Sequence, residues 1–323
     1  MISTVVGSYP KTPNYPREAK LRKGIADFEK GKITKKMLSR IEDDVTVEVI
    51  NEQVNAGVEL ITDGQIRWED AQTYFAKRIK GFSINGLIRY FDTNTYYRQP
   101  VVENKIGWLM PICVNDFRFA AEHSSVPVKA VITGAYTLAR LSKNNYYGSI
   151  NDIVLDMADV LAKEAKALEK AGATFIQIDE PAILKYKDDF SLLNEAVKVI
   201  TRNLNVKTAL YTYFGDIDDL YPDILELTVD VIGLDFVMGK NNFDIIKTAS
   251  FTKELGFGIV DARNTKMEKI DEIVNNIKRI SEIVPWRKLY VNPNCGLEFL
   301  PRENAYNKLV NMVKAVNKAR EII

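Results

Sequence analysis

The chain has 323 residues, of which 46% are hydrophobic, and its 44 basic and 43 acidic side chains leave a formal net charge of +1. This composition excludes a disordered or collagen-like chain, and the charge balance argues against nucleic acid as a main partner. Two cysteines are too few for a disulfide scaffold, no apolar run approaches the ~18 residues that cross a membrane, and residues 1–7 do not resemble a secretory signal, so we expect a cytoplasmic protein without a membrane partner.

Short apolar segments alternate with longer amphipathic ones along the chain. The short segments lie at 3–7, 58–62, 126–133, 174–179, 206–212, 230–236, 257–261 and 288–292. They are rich in branched and aromatic residues and show little strict alternation of polar and apolar side chains, which is typical of parallel strands buried on both faces. We therefore predict eight strands.

Helical patterns occupy most of the intervals between the predicted strands. They lie at 34–56, 150–171, 192–203, 218–227, 243–255, 270–283 and 304–322. In the segment 150–171, Ile153, Met157, Leu161 and Leu168 recur at helical spacing after a capping residue, Ser149. The alternation predicts an α/β fold, a single (β/α)8 TIM barrel that forms one domain over residues 1–323, with a doubly wound open sheet as the competing arrangement.

One long segment interrupts this alternation after the second predicted strand. Residues 81–111 contain Tyr90-Phe91, Tyr96-Tyr97 and a proline at 100 without a helical period. Irregular excursions of this length are uncommon in compact domains and often carry function. We predict a long excursion that contains a hairpin.

Polar residues follow nearly every predicted strand. They are Ser8, Asp63, Gln65, Thr133, Asp179, Glu180, Tyr211, Thr212, Asp235, Asp261, Arg263, Asn292 and Cys295. In a barrel the carboxyl ends of the strands meet at one mouth, where the chemistry takes place. A polar residue after a strand also often caps the next helix, and this is our interpretation of Thr133 and Thr212.

Two of these strand ends are the strongest candidates for function. Asp179 and Glu180 close an apolar strand immediately before a proline, and acids at such a position bind an amine or a metal. Cys295 lies in a turn-rich Asn-Pro-Asn-Cys-Gly-Leu sequence, where a thiol serves as a metal ligand or a reactive group. We interpret Cys113, among apolar neighbours, as packing. His123 is the only histidine, which excludes a metal site with two histidine ligands, and we expect it on the surface.

Three motifs resemble those of the cobalamin-independent methionine synthases. They are Val-Gly-Ser-Tyr-Pro-Lys-Thr at 6–12, Ile-Gln-Ile-Asp-Glu-Pro at 176–181 and Val-Asn-Pro-Asn-Cys-Gly-Leu at 291–297. Full-length members of that family have two (β/α)8 barrels, and the resemblance covers one barrel, nearly the whole chain. Segments 91–97, 212–215 and 258–264 are similar to the amino-terminal barrel, whereas the motifs around Ser8 and Cys295 are similar to the catalytic one. The resemblance implies a single-barrel, archaeal-type homologue that mixes features of both.

The resemblance also implies a degenerate zinc site. The catalytic barrel of the family places a His-x-Cys pair where this chain has Ala209 and Tyr211, and a glutamate where it has Asp235. The fourth ligand corresponds to Cys295, so Cys295 and Asp235 form an incomplete metal site. Gln65 stands where a glutamate is expected, while Ser8, Asp179 and Glu180 remain as substrate-binding candidates together with it.

The resemblance implies methyl transfer to homocysteine from a methylated pterin or folate, or from a corrinoid. Methyl-tetrahydropterin would be the co-substrate, and zinc would be the cofactor, although its site is incomplete. The alternative is a non-catalytic binding subunit that acts with a separate catalytic methionine synthase barrel. A third interpretation, outside the family, is a hydrolase or lyase that holds a hard metal with Asp179, Glu180 and Asp235. Lys11 and Arg17 belong either to a solvated helix face or to a site for the anionic tail of the pterin. Only five glutamines, beside many Lys, Glu and Ile residues, suggest a thermophilic source.

Overall fold

The protein is described by a computed structural model that covers residues 1–90 and 96–323. Its strands in chain order are β1 (Ile2–Ser3), β2 (Ile79–Arg89), β3 (Tyr96–Trp108), β4 (Ala130–Thr133), β5 (Lys143–Asn144), β6 (Phe175–Asp179), β7 (Lys207–Tyr211), β8 (Val231–Asp235), β9 (Glu254–Val260) and β10 (Leu289–Pro293). Its α-helices are α1 (Lys20–Glu29), α2 (Lys35–Asn55), α3 (Ala71–Ala76), α4 (Val114–Glu122), α5 (Ala135–Arg140), α6 (Ile150–Lys170), α7 (Phe190–Thr201), α8 (Asn242–Ile245), α9 (Ile270–Ser281) and α10 (Arg302–Ile322).

A curled parallel sheet forms the centre of the molecule. Its strand order is β1-β10-β9-β8-β7-β6-β4, and every neighbouring pair is parallel. All residues of β4, β6, β8 and β10 are buried, which explains why these segments read as continuous apolar runs. The predicted α/β class is therefore confirmed.

The predicted second strand, 58–62, lies between the two edges of this sheet. Leu60 makes a single parallel bridge to Thr4, and Ile61 makes one to Val128, just before β4. The other seven predicted strands each overlap a strand of the sheet. The described residues therefore form a central sheet of seven strands, with a single bridge from the segment 58–62 at each edge. Complete closure into an eight-stranded barrel stays a prediction.

The long helices of the described chain show why the amphipathic segments fold as they do. In α6, Ile153, Met157, Leu161 and Leu168 are fully buried, and the Ser149 hydroxyl accepts a hydrogen bond from the Asp152 backbone N–H at the helix start. This is the face and the cap predicted from the sequence. None of the helices among residues 1–90 and 96–323 is both long enough and apolar enough to cross a membrane.

Two predicted helices are wrong. The segment 243–255 contains only the short helix α8, because Glu254 and Leu255 already belong to β9 and pair with Val231 and Ile232. The segment 218–227 forms two 3₁₀ turns, Asp218–Leu220 and Asp223–Glu226, on either side of Pro222, which has no backbone N–H for a helical hydrogen bond.

The predicted excursion contains a hairpin, as expected. Strands β2 and β3 are antiparallel, and β5 extends them into a second, three-stranded sheet. At Gly81 the backbone φ is +99°, and a Cβ there would lie 2.6 Å from the Asn104 carbonyl oxygen, so the hairpin requires glycine. Of the family-like segment 91–97, residues 91–95 lie outside the described part of the chain.

Candidate functional site

A cavity of about 270 Å³ lies at the carboxyl ends of the parallel strands. We call it the mouth cavity. Its polar lining residues that could act chemically include Ser8, Lys11, Gln65, Asp179, Arg263 and Glu298. Because Ser8, Asp179, Arg263 and Glu298 come from the ends of β1, β6, β9 and β10 or just beyond them, the structure brings together groups that are far apart in the chain.

Asp179, the last residue of β6, forms the deep acidic part of the mouth cavity. Its Oδ1 accepts a 2.7 Å hydrogen bond from Gln177 Nε2, and its Oδ2 lies 3.5 Å from the Tyr213 hydroxyl. Burial raises the pKa of this carboxyl to about 7, against the opposing effect of the hydrogen bond from Gln177 and the positive charge of Lys129. A carboxylate in this position suits a cationic or N–H-bearing ligand.

Ser8, Glu298 and Arg263 form a group of polar contacts at the mouth cavity. The Ser8 hydroxyl donates a short hydrogen bond to Glu298, and the Arg263 guanidinium lies 3.8 Å from the other carboxylate oxygen of Glu298. The Arg263 guanidinium also lies over the rings of Phe214 and Phe299, at 5.4 and 4.5 Å from their centroids. Arg263 stood among the strand-end residues without an assigned role, and Glu298 was missed because it lies five residues beyond β10.

Aromatic side chains make up much of the remaining wall. They are Trp68, Tyr90, Tyr96, Tyr97, Tyr213, Phe214 and Phe299. Tyr90 meets the rings of Tyr97 and Phe214 edge-on, with centroids 5.9 and 6.3 Å apart, and Tyr213 meets Phe214 at 4.7 Å. Such walls suit a flat heterocyclic ligand. Tyr90, Tyr96 and Tyr97 belong to the excursion predicted from the sequence, and Tyr213 and Phe214 belong to the family-like segment 212–215. No local pattern in the sequence marks Trp68 or Phe299.

Lys11 and Gln65 occupy the side of the mouth cavity nearest β1. The Lys11 ammonium donates a short hydrogen bond to the Trp68 carbonyl, and burial lowers the pKa of Lys11. Gln65 has a left-handed backbone, φ 53°, and its amide lies where a side chain on Gly7 would stand. Both residues face the space in which the sequence placed a ligand.

Arg17 and Glu180 lie outside the lining of the mouth cavity. Arg17 is half-exposed and pairs with Glu48 and Glu52 of α2 at 3.4 and 3.0 Å. The Glu180 carboxylate is buried and accepts hydrogen bonds from the backbone N–H groups of Tyr136 and Thr137, at the start of α5. Burial raises its pKa to about 7. In this arrangement Glu180 caps a helix, as acids do at a helix N-terminus.

Asp235 lies beside the mouth cavity with its acceptor positions occupied. It accepts four hydrogen bonds, from the backbone N–H groups of Phe214, Val237 and Met238 and from the Asn294 side chain, at 2.8–3.1 Å. A metal ligand would have to give up some of these bonds.

The other positions at which the resemblance implies zinc ligands are also unsuited to zinc. The Tyr211 hydroxyl lies 3.4 Å from the Asn292 side-chain oxygen, and Ala209 has no donor atom. Burial raises the pKa of the Cys295 thiol, so the protonated form is favoured. Within residues 1–90 and 96–323 no group of three or more His, Cys, Asp and Glu side chains could hold a metal ion. These residues do not fit a tetrahedral zinc site.

The chain is similar to known proteins over its whole length. A family profile described as "Cobalamin-independent synthase, Catalytic domain" matches residues 1–318. A protein named methionine synthase from Saccharolobus solfataricus is 39% identical over 323 residues, which cover 99% of this chain and 95% of the relative. Another from Sulfurisphaera tokodaii is 38% identical, over 99% of this chain and 92% of the relative.

Solved structures share the fold. A B12-independent methionine synthase from Shewanella sp. W3-18-1, in complex with selenomethionine, superposes with a TM-score of 0.87 at 20% identity, over 99% of this chain and 97% of that one. A protein described as a putative vitamin-B12-independent methionine synthase from Listeria monocytogenes gives a TM-score of 0.77 at 19% identity, with 98% of both chains covered.

Proposed function

Because the chain belongs to the cobalamin-independent methionine synthase family, we propose that it serves methyl transfer to homocysteine by binding substrate in the mouth cavity, while a separate catalytic barrel holds the zinc. The single observation that carries this proposal is the state of the degenerate zinc positions. Asp235 is saturated with hydrogen bonds, and the phenol of Tyr211 and the methyl group of Ala209 stand where two ligands are expected.

The chemistry of the thiol explains why these positions matter. A free thiol has a pKa of ~8.5 and is mostly protonated at neutral pH, so homocysteine needs activation before it can accept a methyl group. Cys295 is itself a buried thiol with a raised pKa, beside a carboxylate that has no acceptor position to spare. The chain therefore offers recognition of substrates rather than activation of the thiol.

The mouth cavity supports a ligand with both a cationic and a planar part. Asp179 and Ser8 suit the ammonium group of an amino acid such as homocysteine or methionine, and the aromatic wall suits the ring of a methylated pterin or folate. Lys11 lines the cavity and is the candidate partner for the anionic tail of the pterin, whereas Arg17 lies outside the lining. A corrinoid donor remains the alternative source of the methyl group.

A second candidate function is methyl transfer by this chain alone. The observation that favours it is the extent of the similarity, because relatives named methionine synthase align over 95% and 92% of their own lengths. In that case Cys295 and Asp235 would have to rearrange around the metal. The two functions differ in what the purified chain binds and in what it does without a partner.

We also propose that residues 1–323 form one domain in which the segment 58–62 closes the sheet as the eighth strand. Backbone hydrogen bonds support this closure, because Leu60 donates to Ser3, Ile61 donates to Pro127, and Lys129 donates to Ile61 at 2.9–3.2 Å. A segment bonded on both sides would leave the central sheet, among the described residues, without a free edge.

The metal content of the purified protein is the first test. We expect the dialysed chain to contain well under one zinc per molecule and to transfer methyl groups slowly alone, with turnover rising when a catalytic methionine synthase barrel is added. Metal analysis and a methyl-transfer assay with methyltetrahydrofolate and homocysteine measure this. The matched variant Cys295→Ser should leave the metal content unchanged. The second candidate function would be established instead if the wild-type chain held one zinc per molecule, Cys295→Ser lost that zinc, and the wild-type chain alone transferred methyl groups.

Replacement of Asp179 by alanine is the second test. Loss of a charge-assisted hydrogen bond should weaken the binding of L-methionine or L-homocysteine by about 1.5–3 kcal/mol. Isothermal titration calorimetry measures the affinity, and Asp219→Ala, which removes an exposed carboxylate far from the cavity lining, is the control. Equal affinities in the wild type and in Asp179→Ala would show that Asp179 does not contribute to ligand binding.

A further inference from the structure

A lysine is buried within the sheet beneath the mouth cavity. Lys129 lies just before β4 with only 2% of its surface exposed, and its ammonium donates a 2.5 Å hydrogen bond to Gln177 Oε1. The same ammonium lies 5.0 Å from the ring centroid of Tyr211 and 5.9 Å from that of Phe175. Nothing in the proposed substrate binding uses this lysine, yet a buried cation is costly unless something compensates it.

Gln177 connects this lysine to the mouth cavity. Its Nε2 donates to Asp179 Oδ1 at 2.7 Å and to the Val6 carbonyl at 2.8 Å, and its Oε1 accepts from Lys129. An ammonium can only donate, and a carbonyl can only accept, so both neighbours require the same orientation of the amide. The amide therefore presents an N–H to Asp179, which favours the carboxylate as an acceptor.

We propose that Lys129 is a positioning residue that, through the Gln177 amide, orients the Asp179 carboxylate and supplies its counter-charge. The proposal rests on the proposed function, in which Asp179 receives the cationic or N–H-bearing part of a ligand. Lys129 does not reach the mouth cavity, so it acts on the ligand only through Asp179. The amide holds the two charges apart and keeps one carboxylate oxygen, Oδ2, directed to Tyr213.

The electrostatics of the two groups are consistent with this pairing. Burial lowers the pKa of Lys129 to about 7 and raises that of Asp179 to about 7, and the charge of each partner opposes the effect on the other. The titratable or charged groups that share a lining with Lys129 or Asp179, or that interact with either, include several acids and phenols, the Cys113 thiol and two cations of the mouth cavity: Asp63, Glu180, Glu298, Tyr90, Tyr211, Tyr213, Cys113, Lys11 and Arg263. Of the three cations, Lys129 is the one that the Gln177 amide connects to Asp179, whereas Arg263 lies beside Glu298 and Lys11 donates to the Trp68 carbonyl.

The test is a pH titration of Asp179 without any ligand. Protein labelled with ¹³C at the aspartate carboxyl is titrated by NMR, and Asp179→Asn identifies the Asp179 signal. In Lys129→Met, a substitution of similar length, the Asp179 midpoint should rise by about one pH unit or more, because an opposite charge nearby has been removed. Lys207→Met is the control. Lys207 lies beside Phe175, four residues before Asp179 in the register of β6 and β7, and it pairs with Glu254, so this variant should leave the Asp179 midpoint unchanged.

The reciprocal measurement keeps the proposal testable if Lys129→Met does not fold. In lysine-labelled Asp179→Asn the Lys129 midpoint should fall, since coupling between two sites acts equally in both directions. Midpoints that stay within error in the variants that fold would overturn the proposal. A structural role for Lys129 alone would alter folding without moving either midpoint.

Binding of L-methionine then separates this inference from the proposed function. Lys129→Met should weaken binding by about tenfold in the wild-type background and have little effect in Asp179→Asn, because its influence passes through Asp179. Equal weakening in both backgrounds would overturn the inference. The variants could shift the midpoints as expected while the wild type binds neither L-methionine nor methyltetrahydrofolate. That result would refute the proposed function and leave the Lys129–Asp179 coupling established.

Discussion

Replacement of Glu164 by alanine is expected to lower the free energy of unfolding by about 3–5 kcal/mol. Glu164, on α6, is fully buried, and its two oxygens accept 2.7 Å hydrogen bonds from the backbone N–H groups of Ile112 and Cys113. A third donor, the indole of Trp108, lies 3.4 Å away. Alanine would leave these donors buried without partners, at the point where β3 connects to α4.

Chemical denaturation followed by circular dichroism measures this loss. Glu164→Gln should recover only part of the stability, because one of its terminal groups is a donor that faces another donor. Glu195→Ala removes an exposed glutamate from α7 and should change the stability by no more than about 0.5 kcal/mol. A loss in Glu164→Ala as small as that of this control would mean that water reaches the freed N–H groups.

Replacement of Gly233 by alanine is expected to destabilise the protein by about 2–3 kcal/mol. A Cβ at this position in β8 would lie 2.3 Å from the ring of Tyr211, and one at Gly256 in β9 would lie 2.5 Å from the Tyr211 hydroxyl. Tyr211 is buried, with 2% of its surface exposed, so its ring has little room to move aside. The two glycines therefore make the space for the phenol of Tyr211.

A rescue variant tests this cause. Tyr211→Leu has a smaller side chain and should reduce the cost of Gly233→Ala when the two substitutions are combined, as thermal unfolding would show. Gly148→Ala, at a position with no atom within 4 Å of the added methyl group, should be nearly neutral. Additive effects of Gly233→Ala and Tyr211→Leu would show that the ring is not the obstacle.

The mouth cavity is suited to binding a ligand, whereas the positions at which the resemblance implies zinc ligands are not suited to binding zinc. The cavity keeps an acidic residue, a serine and an aromatic wall at the strand ends, while the neighbouring Asp235 is held by four hydrogen bonds. We expect this arrangement under the proposed function, in which the chain binds substrate and a separate catalytic barrel holds the zinc.

Much of the fold could be predicted from the sequence because its signals are local. Apolar runs and helical periods identified strands such as Phe175–Asp179 and the helix Ile150–Lys170 with its cap at Ser149. The motifs also identified the family. Since parallel strands present their carboxyl ends on one side, the same reading placed Ser8, Gln65 and Asp179 around one cavity.

The tertiary structure alone decided what each of these side chains does. Glu180 follows Asp179 directly, yet backbone N–H groups of α5 engage its carboxylate, while Asp179 faces the mouth cavity. Glu298 reaches Ser8 across 290 positions of the chain, and Lys129 reaches Asp179 only through Gln177. Local periodicity records whether a side chain is buried, but hydrogen-bond partners and charge pairs depend on contacts between distant segments, which only the packed molecule defines.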